Sequence, residues 1–456
     1  MENIIRTINA ALWGVPVLAL ILIIGIYLSV STGFIQIRLL PAAIKRFFHN
    51  LVDTRNQKQG ISGYRALCTA LAATVGTGNI AGVAGAIAIG GPGTIFWMWV
   101  CAILGMVTKF AEVTLAQRYR VRNNTGEYVG GPMYMIQYGL PRKYACLAYM
   151  YAFFGVVAAL GVGNATQVNA VVEGIKNMAS ALEFELNITW RLIIGVILTI
   201  LIMRAFRFGA SGVGSWAEKL VPIASLVYIC LCIFVLIICR RQLSTAMQAI
   251  LIGAFQPRSM TCGVVTSVYL TLRVGASRGV FTNEAGMGTA SIAHAAAEVD
   301  HPVEQGLMGI IEVFLDTILI CTLTALVILC SGVDIPYGAD TGITLTMDAF
   351  SLVLGDWSRF VISGLVCILA FATILGWGVY GMRCAQYLLG ESVWKKYIAF
   401  QGCAAMLGVL LRTSVIWLLA EIVNGLMAIP NLIVLFLLSP EFIHIIKEYK
   451  IRKRTV

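Results

Sequence analysis

Glycine, threonine, glycine and asparagine follow one another at Gly76, Thr77, Gly78 and Asn79, in the middle of an apolar run from about Ala66 to Ile89. Glycine and β-branched threonine weaken a helix, and lipid has no water to satisfy a backbone group freed by a break. A break at that depth persists only where protein buries it or where it lines a wet cavity. If the outer half-helix begins near Asn79, its N-terminus aims free N–H groups and a positive dipole end at the membrane midplane. That is the chemistry of a carboxylate site. These four residues are therefore read as substrate-binding.

A second interruption is expected between Thr261 and Ala297, where Arg273, Val274, Gly275, Ala276, Ser277, Arg278 and Gly279 follow one another. A half-helix ending near Arg273 to Gly275 would expose carbonyls suited to an ammonium, so Val274 and Gly275 join the candidate site. Two opposite helix ends facing one cavity fit a zwitterion. Thr373 and Trp377 are spaced i, i+4 and share a helix face, offering a hydroxyl oxygen and a large apolar wall. Asn164, Gln167 and Asn169 place amides at membrane depth, where interhelical hydrogen bonding is the alternative to a ligand role. Asp316 lies one turn beyond Glu312 within a span, an intramembrane carboxylate for which either function or an ion pair with Lys109, Arg273 or Arg278 would account. Glu112 is expected to pair locally with Lys109, three residues before it. Gly275 to Gly279 also matches the G-x-S-x-G pattern of a serine hydrolase. That elbow needs a strand-to-helix setting or a histidine base, and His49, His294, His301 and His444 all fall near cytoplasmic ends.

The elements that must position these groups follow from composition. The chain has 456 residues, 59% hydrophobic and 12% charged, against about 25% charged in soluble domains. It reads as an all-α polytopic membrane protein in contact with lipid. The twelve cysteines show no metal-ligand spacing and read as small hydrophobes. Eleven spanning segments are expected, at about 11–33, 66–90, 94–117, 144–174, 190–203, 219–239, 262–297, 303–330, 358–388, 397–411 and 414–438. Of the 33 basic residues, 22 lie at one set of segment ends, including Arg38, Arg55, Lys58 and the tail from Lys447 to Arg454. The other set, including Arg258 and Arg412, holds 8, and three lie within segments. This bias puts the N-terminus outside and the C-terminus in the cytoplasm of a plasma membrane. The net charge of +11 is then a topology signal and gives nucleic-acid binding no support. The loop from Ser331 to Trp357, with Asp334, Asp340, Asp348 and Asp356, lies outside. Each Gly-interrupted helix is followed by four more spans, and an odd number of crossings separates them. The chain divides into an extra N-terminal helix and basic loop (1–65), two inverted repeats (66–240 and 241–440) and a basic tail (441–456). Paired interrupted segments point to a secondary-transporter site.

The stretch from Gly76 to Trp99, GTGNIAGVAGAIAIGGPGTIFWMW, resembles the signature of the sodium:alanine symporter family. The resemblance extends through Ala217 to Pro222, Arg278 to Gly286 and Phe371 to Trp377. It implies a leucine-transporter-like fold of ten core helices with broken first and sixth helices, plus one extra N-terminal helix. It also implies sodium-coupled uptake of small neutral amino acids, alanine and glycine first. A sodium ion held by Ala73 and Gly76 carbonyls and the Thr373 hydroxyl is the family-like arrangement, with Gln167 a substrate contact. Glutamine transport or proton coupling is the alternative, the latter needing a carboxylate at the cavity. A passive channel and the hydrolase are further alternatives, and the sequence sets no oligomeric state.

Overall fold

A computed structural model describes residues 2–14, 16–52, 61–180, 183–256, 267–339, 342–410 and 413–455. Arg55, Lys58, Arg258, Asp340 and Arg412, which entered the charge and loop readings, lie outside the described residues. Helices occupy all eleven expected segments. Six described helical runs are long and apolar enough to cross a membrane, or eight if two bent pairs are each counted as a span. One such run, Ile188–Ile238, has 51 residues, about 77 Å if straight, against a hydrocarbon core of about 30 Å. It turns at Phe206–Phe208 and at Gly209, whose φ of 61° suits glycine. It therefore makes two spans, Ile188–Ala205 and Gly209–Ile238. The latter starts well before the expected residue 219, so Lys219 sits inside a helix. Its exposed Leu226, Ile233 and Ile237 form part of an apolar outer surface fitted to lipid.

The first core helix is broken where expected. Gly63–Thr74 ends at Val75, and a π-helical turn at Gly78–Gly82 leads into Val83–Gly90, bent by 50° from the first half. The second break is a correction. Val268–Asn283 runs unbroken through Val274 and Gly275, and the chain leaves helical geometry at Glu284 (φ 54°), Gly286 (φ 92°) and Gly288 (φ 77°) before Thr289–Ala295. Gly275 is a close-packing residue, because a Cβ there would stand 2.8 Å from the Trp97 side chain. Small residues serve such contacts between membrane helices, and the left-handed conformations needed for a break come later.

Two further π-helical turns interrupt core helices, at Gly161–Ala165 before Thr166–Ser180 and at Phe314–Cys321 between Pro302–Val313 and Thr322–Cys330. The described part of the loop between Ser331 and Trp357 contains a helix, Thr344–Leu354, whose Thr346 Oγ1 donates to the Ile80 carbonyl at 3.1 Å. It lies against the second half of the first broken helix, at Ile80.

The core also carries charge. Lys109 Nζ meets Glu312 Oε1 at 3.2 Å, both side chains fully buried. Gln305 Nε2 bonds His294 Nδ1 at 2.7 Å, so His294 Nε2–H is left to donate to Glu312 Oε2 at 3.0 Å. Glu112 does not pair with Lys109 as expected. Its Oε1 accepts from the amides of Gly286 (2.9 Å) and Gly288 (3.1 Å) and from Asn431 Nδ2 (2.7 Å), which pins the second break. The broken backbone offered Glu112 donors that a partner on its own helix face could not replace. Asp316 pairs with none of the three bases suggested for it. Its carboxylate accepts from Asn79 Nδ2 at 2.6 Å and Thr317 Oγ1 at 2.8 Å.

Candidate functional site

The two breaks face one cavity with an empty volume of about 350 Å³. The first broken helix contributes Ala73, Thr74, Gly76, Thr77 and Gly78; the second contributes Phe281, Thr282 and Glu284. Val162 and Gln167 close one side, Thr373 and Trp377 another, and Asn424 completes the lining. Among the sequence-predicted residues, Ala73, Gly76, Thr77, Gly78, Gln167, Thr373 and Trp377 are thus brought together.

Local chemistry explains each placement. The helix ending at Thr74 makes its last bond from Val75 N to Leu71 O, at 2.8 Å. The next amide, Gly76 N, donates to Asn79 Oδ1 at 2.9 Å, so Asn79 bridges the break from behind. Its amide nitrogen holds Asp316, so the fully buried Asn79 lies off the cavity wall and acts as a brace. A helix opening at Gly78 leaves its first amides with no carbonyl one turn back. Thr77 Oγ1 donates to Gln167 Oε1 at 3.2 Å, and Gln167 Nε2 donates to Val162 O at 3.3 Å. Gln167 is satisfied in the protein while facing the cavity. Asn164 behaves as an interhelical link, bonding the Gln401 carbonyl at 2.8 Å, and Asn169 bonds Ala165 O of its own helix at 3.0 Å.

Thr373 reaches Leu369 O at 3.1 Å, leaving its oxygen lone pairs available. A Cβ added to Gly76 would stand 2.6 Å from that oxygen, so the hydroxyl sits directly against the break. The helix carrying it comes close because Gly376 has no side chain; a Cβ there would lie 2.7 Å from Ala73 N. Ala73, Gly76 and Thr373 therefore meet on one wall, and hydroxyl and carbonyl oxygens are the donors a hard cation takes. Trp377 is buried with its base against Gly163 and its ring edge-on to Tyr380, 5.8 Å between centroids. Val274 and Gly275 are not at the cavity. They pack on Gly90, Thr94 and Trp97 in the first half of the second broken helix, ahead of its break.

Sequence reasoning missed Phe281, Thr282, Glu284, Val162 and Asn424. The signal for Glu284 was an acid next to two glycines two residues apart, Gly286 and Gly288, deep in an apolar segment. Its αL backbone conformation at φ 54° and ψ 20° costs about 1–2 kcal/mol for a non-glycine residue, the kind of strain that gathers at functional sites. Glu284 thus sets a carboxylate residue on the cavity wall.

Two discontinuous helices meeting at a polar cavity within a multi-pass bundle define a secondary transporter. The Ser277 elbow lies inside a continuous helix, without the turn a hydrolase requires. The solved structure of MhsT in complex with L-phenylalanine is similar in fold, with a TM-score of 0.61 at 15% identity over 84% of this chain and 90% of that one. A family model, the sodium:alanine symporter family, matches residues 1–456. The sodium/alanine symporter AgcS of Methanococcus maripaludis is 40% identical over 447 residues, covering 96% of this chain and 94% of that one. The Bacillus subtilis protein named "Probable sodium/glutamine symporter GlnT" is 35% identical over 459 residues, covering 100% of this chain and 92% of that one. The chain belongs to the sodium:alanine symporter family.

Proposed function

We propose that this protein imports small neutral amino acids, alanine and glycine first, together with sodium, by alternating access across the plasma membrane with its C-terminus in the cytoplasm. The observation that carries this reading is the cavity itself. The amides of the opening turn at Gly78 suit a substrate carboxylate, and the wall of Ala73, Gly76 and Thr373 suits sodium. Trp377 limits the side chain that can enter. The relative named for sodium and alanine supports the same choice.

The name of the second relative raises glutamine. A buried Gln167 lacking a partner would favour an amide substrate, since an unsatisfied polar group costs about 1–3 kcal/mol. Thr77 and Val162 already bond Gln167, so its burial asks nothing of the substrate, and the Trp377 wall decides for small side chains. Sodium and substrate bound side by side raise each other's affinity, as reciprocity of binding requires.

Uptake of radiolabelled alanine, glycine and glutamine into proteoliposomes, with and without an inward sodium gradient, tests this. Accumulation of alanine and glycine only when sodium is outside is expected. Gradient-independent equilibration would mean a passive pathway, and glutamine outcompeting alanine would mean the wall was misread.

A further inference from the structure

Four carboxylates are buried among the described residues: Glu112, Glu284, Glu312 and Asp316. Three of them lie off the cavity wall. Glu112 holds the amides of the second break, Glu312 meets Lys109 and His294, and Asp316 is held by Asn79 and Thr317. Glu284 is the one on the cavity wall. Its Oε2 accepts from Thr289 Oγ1 at 2.6 Å.

Burying a carboxylate is costly unless it is both hydrogen-bonded and matched by a positive charge. Thr289 provides a hydrogen bond, and it is neutral. Lys109 directs its ammonium to Glu312 at 3.2 Å, and among the described residues no cationic side chain lies within ion-pair distance of Glu284. A cation entering the cavity would supply such a charge.

We propose that Glu284 is the anionic partner of the substrate's ammonium group, so that the site selects amino acids over the corresponding amine-free acids. This rests on the reading of the cavity as an amino-acid site. The opening turn at Gly78 takes the carboxylate end of the zwitterion and Glu284 takes the amine end, with Trp377 bounding the side chain. The carboxylate also excludes simple carboxylic acids: propionate would face Glu284 with nothing to neutralise it.

The test is calorimetric titration of alanine, and separately of propionate, into purified wild-type, Glu284→Gln and Glu284→Asp proteins in sodium buffer, with thermal unfolding to verify the fold. Wild type should prefer alanine to propionate. Glu284→Gln should shrink that ratio by about 10- to 100-fold, the scale of a charge-assisted hydrogen bond, through weaker alanine and unchanged or tighter propionate. Glu284→Asp, keeping the charge, should hold a ratio between the two. A folded Glu284→Gln protein that keeps the wild-type ratio, or weakens both ligands equally, would overturn the proposal. Absence of alanine binding in the wild type would instead overturn the function on which it rests.

Discussion

Replacing Gly76 by alanine tests the break most directly. The new Cβ would stand 2.6 Å from Thr373 Oγ1 and 3.8 Å from Thr373 Cβ. The first distance is too short for any real contact, and the second is ordinary. Thr373 is β-branched, stiff at χ1 in a helix, and already bonded to Leu369 O, so the hydroxyl cannot swing away freely. Overpacking of this kind costs about 1–3 kcal/mol, which corresponds to about 5- to 150-fold in an equilibrium constant. The loss should appear in alanine affinity at saturating sodium, measured as KM for uptake in proteoliposomes, with normal amounts of inserted protein. Removing the offending oxygen should relieve it: in a Gly76→Ala, Thr373→Ala double variant, alanine affinity should return to that of Thr373→Ala alone. The two changes would then be strongly non-additive, as expected for residues in contact. Wild-type uptake by Gly76→Ala, or simple additivity in the double variant, would refute this geometry. Gly78 is the gentler neighbour, since a Cβ there would meet Thr282 Cγ2 at 3.3 Å.

Thr373→Ala should raise the sodium concentration for half-maximal uptake, while Thr373→Ser, which keeps the hydroxyl, should change it little; identical sodium curves for both would remove Thr373 from the ion site. Trp377→Ala should admit larger neutral amino acids in competition assays and weaken alanine binding, and an unchanged substrate range would show that the wall lies elsewhere. Glu112→Ala leaves two break amides and Asn431 without their acceptor, at about 1–3 kcal/mol for each group left unsatisfied. It should lower the thermal unfolding temperature in detergent and slow uptake, and an unaltered melting curve would count against its role as a clamp on the second break.

The first break was legible in the sequence because glycine, threonine and asparagine contradict the hydrophobic run around them. Thr373 and Trp377 were legible because i, i+4 spacing fixes a shared face whatever the tertiary contacts. The second break was misplaced because two kinds of glycine look alike in a sequence. Gly275 permits a close helix contact with φ in the helical range, whereas Gly286 and Gly288 permit backbone at φ 92° and 77°. The misplacement carried Val274 and Gly275 into the candidate site and left Glu284 out. Asn79 was read correctly as part of the break and wrongly as facing the ligand, because the acceptor that turns it inward, Asp316, lies 237 residues away. Local pattern does not encode such a partner. Glu112 failed for the same reason, since its donors are amides of a distant segment.

The π-helical turn at Phe314–Cys321 fixes the rotation of the helix that follows it. Such a turn is wider than an α-helical one, so it changes the direction in which the side chains beyond it point. Deleting one residue there would rotate Thr322–Cys330 by about 100° about its axis relative to Pro302–Val313. Thr322 and Thr324 would swing away from Trp99 Nε1 and Tyr228 Oη, which they now meet at 2.8 and 2.7 Å. Asp316 stands inside the wide turn. The wide turn thus sets the azimuth of an acid and of the helical segment that follows it. Removing a residue from it would not be neutral, because the neighbouring helices hold hydrogen-bond partners for the face as it now stands.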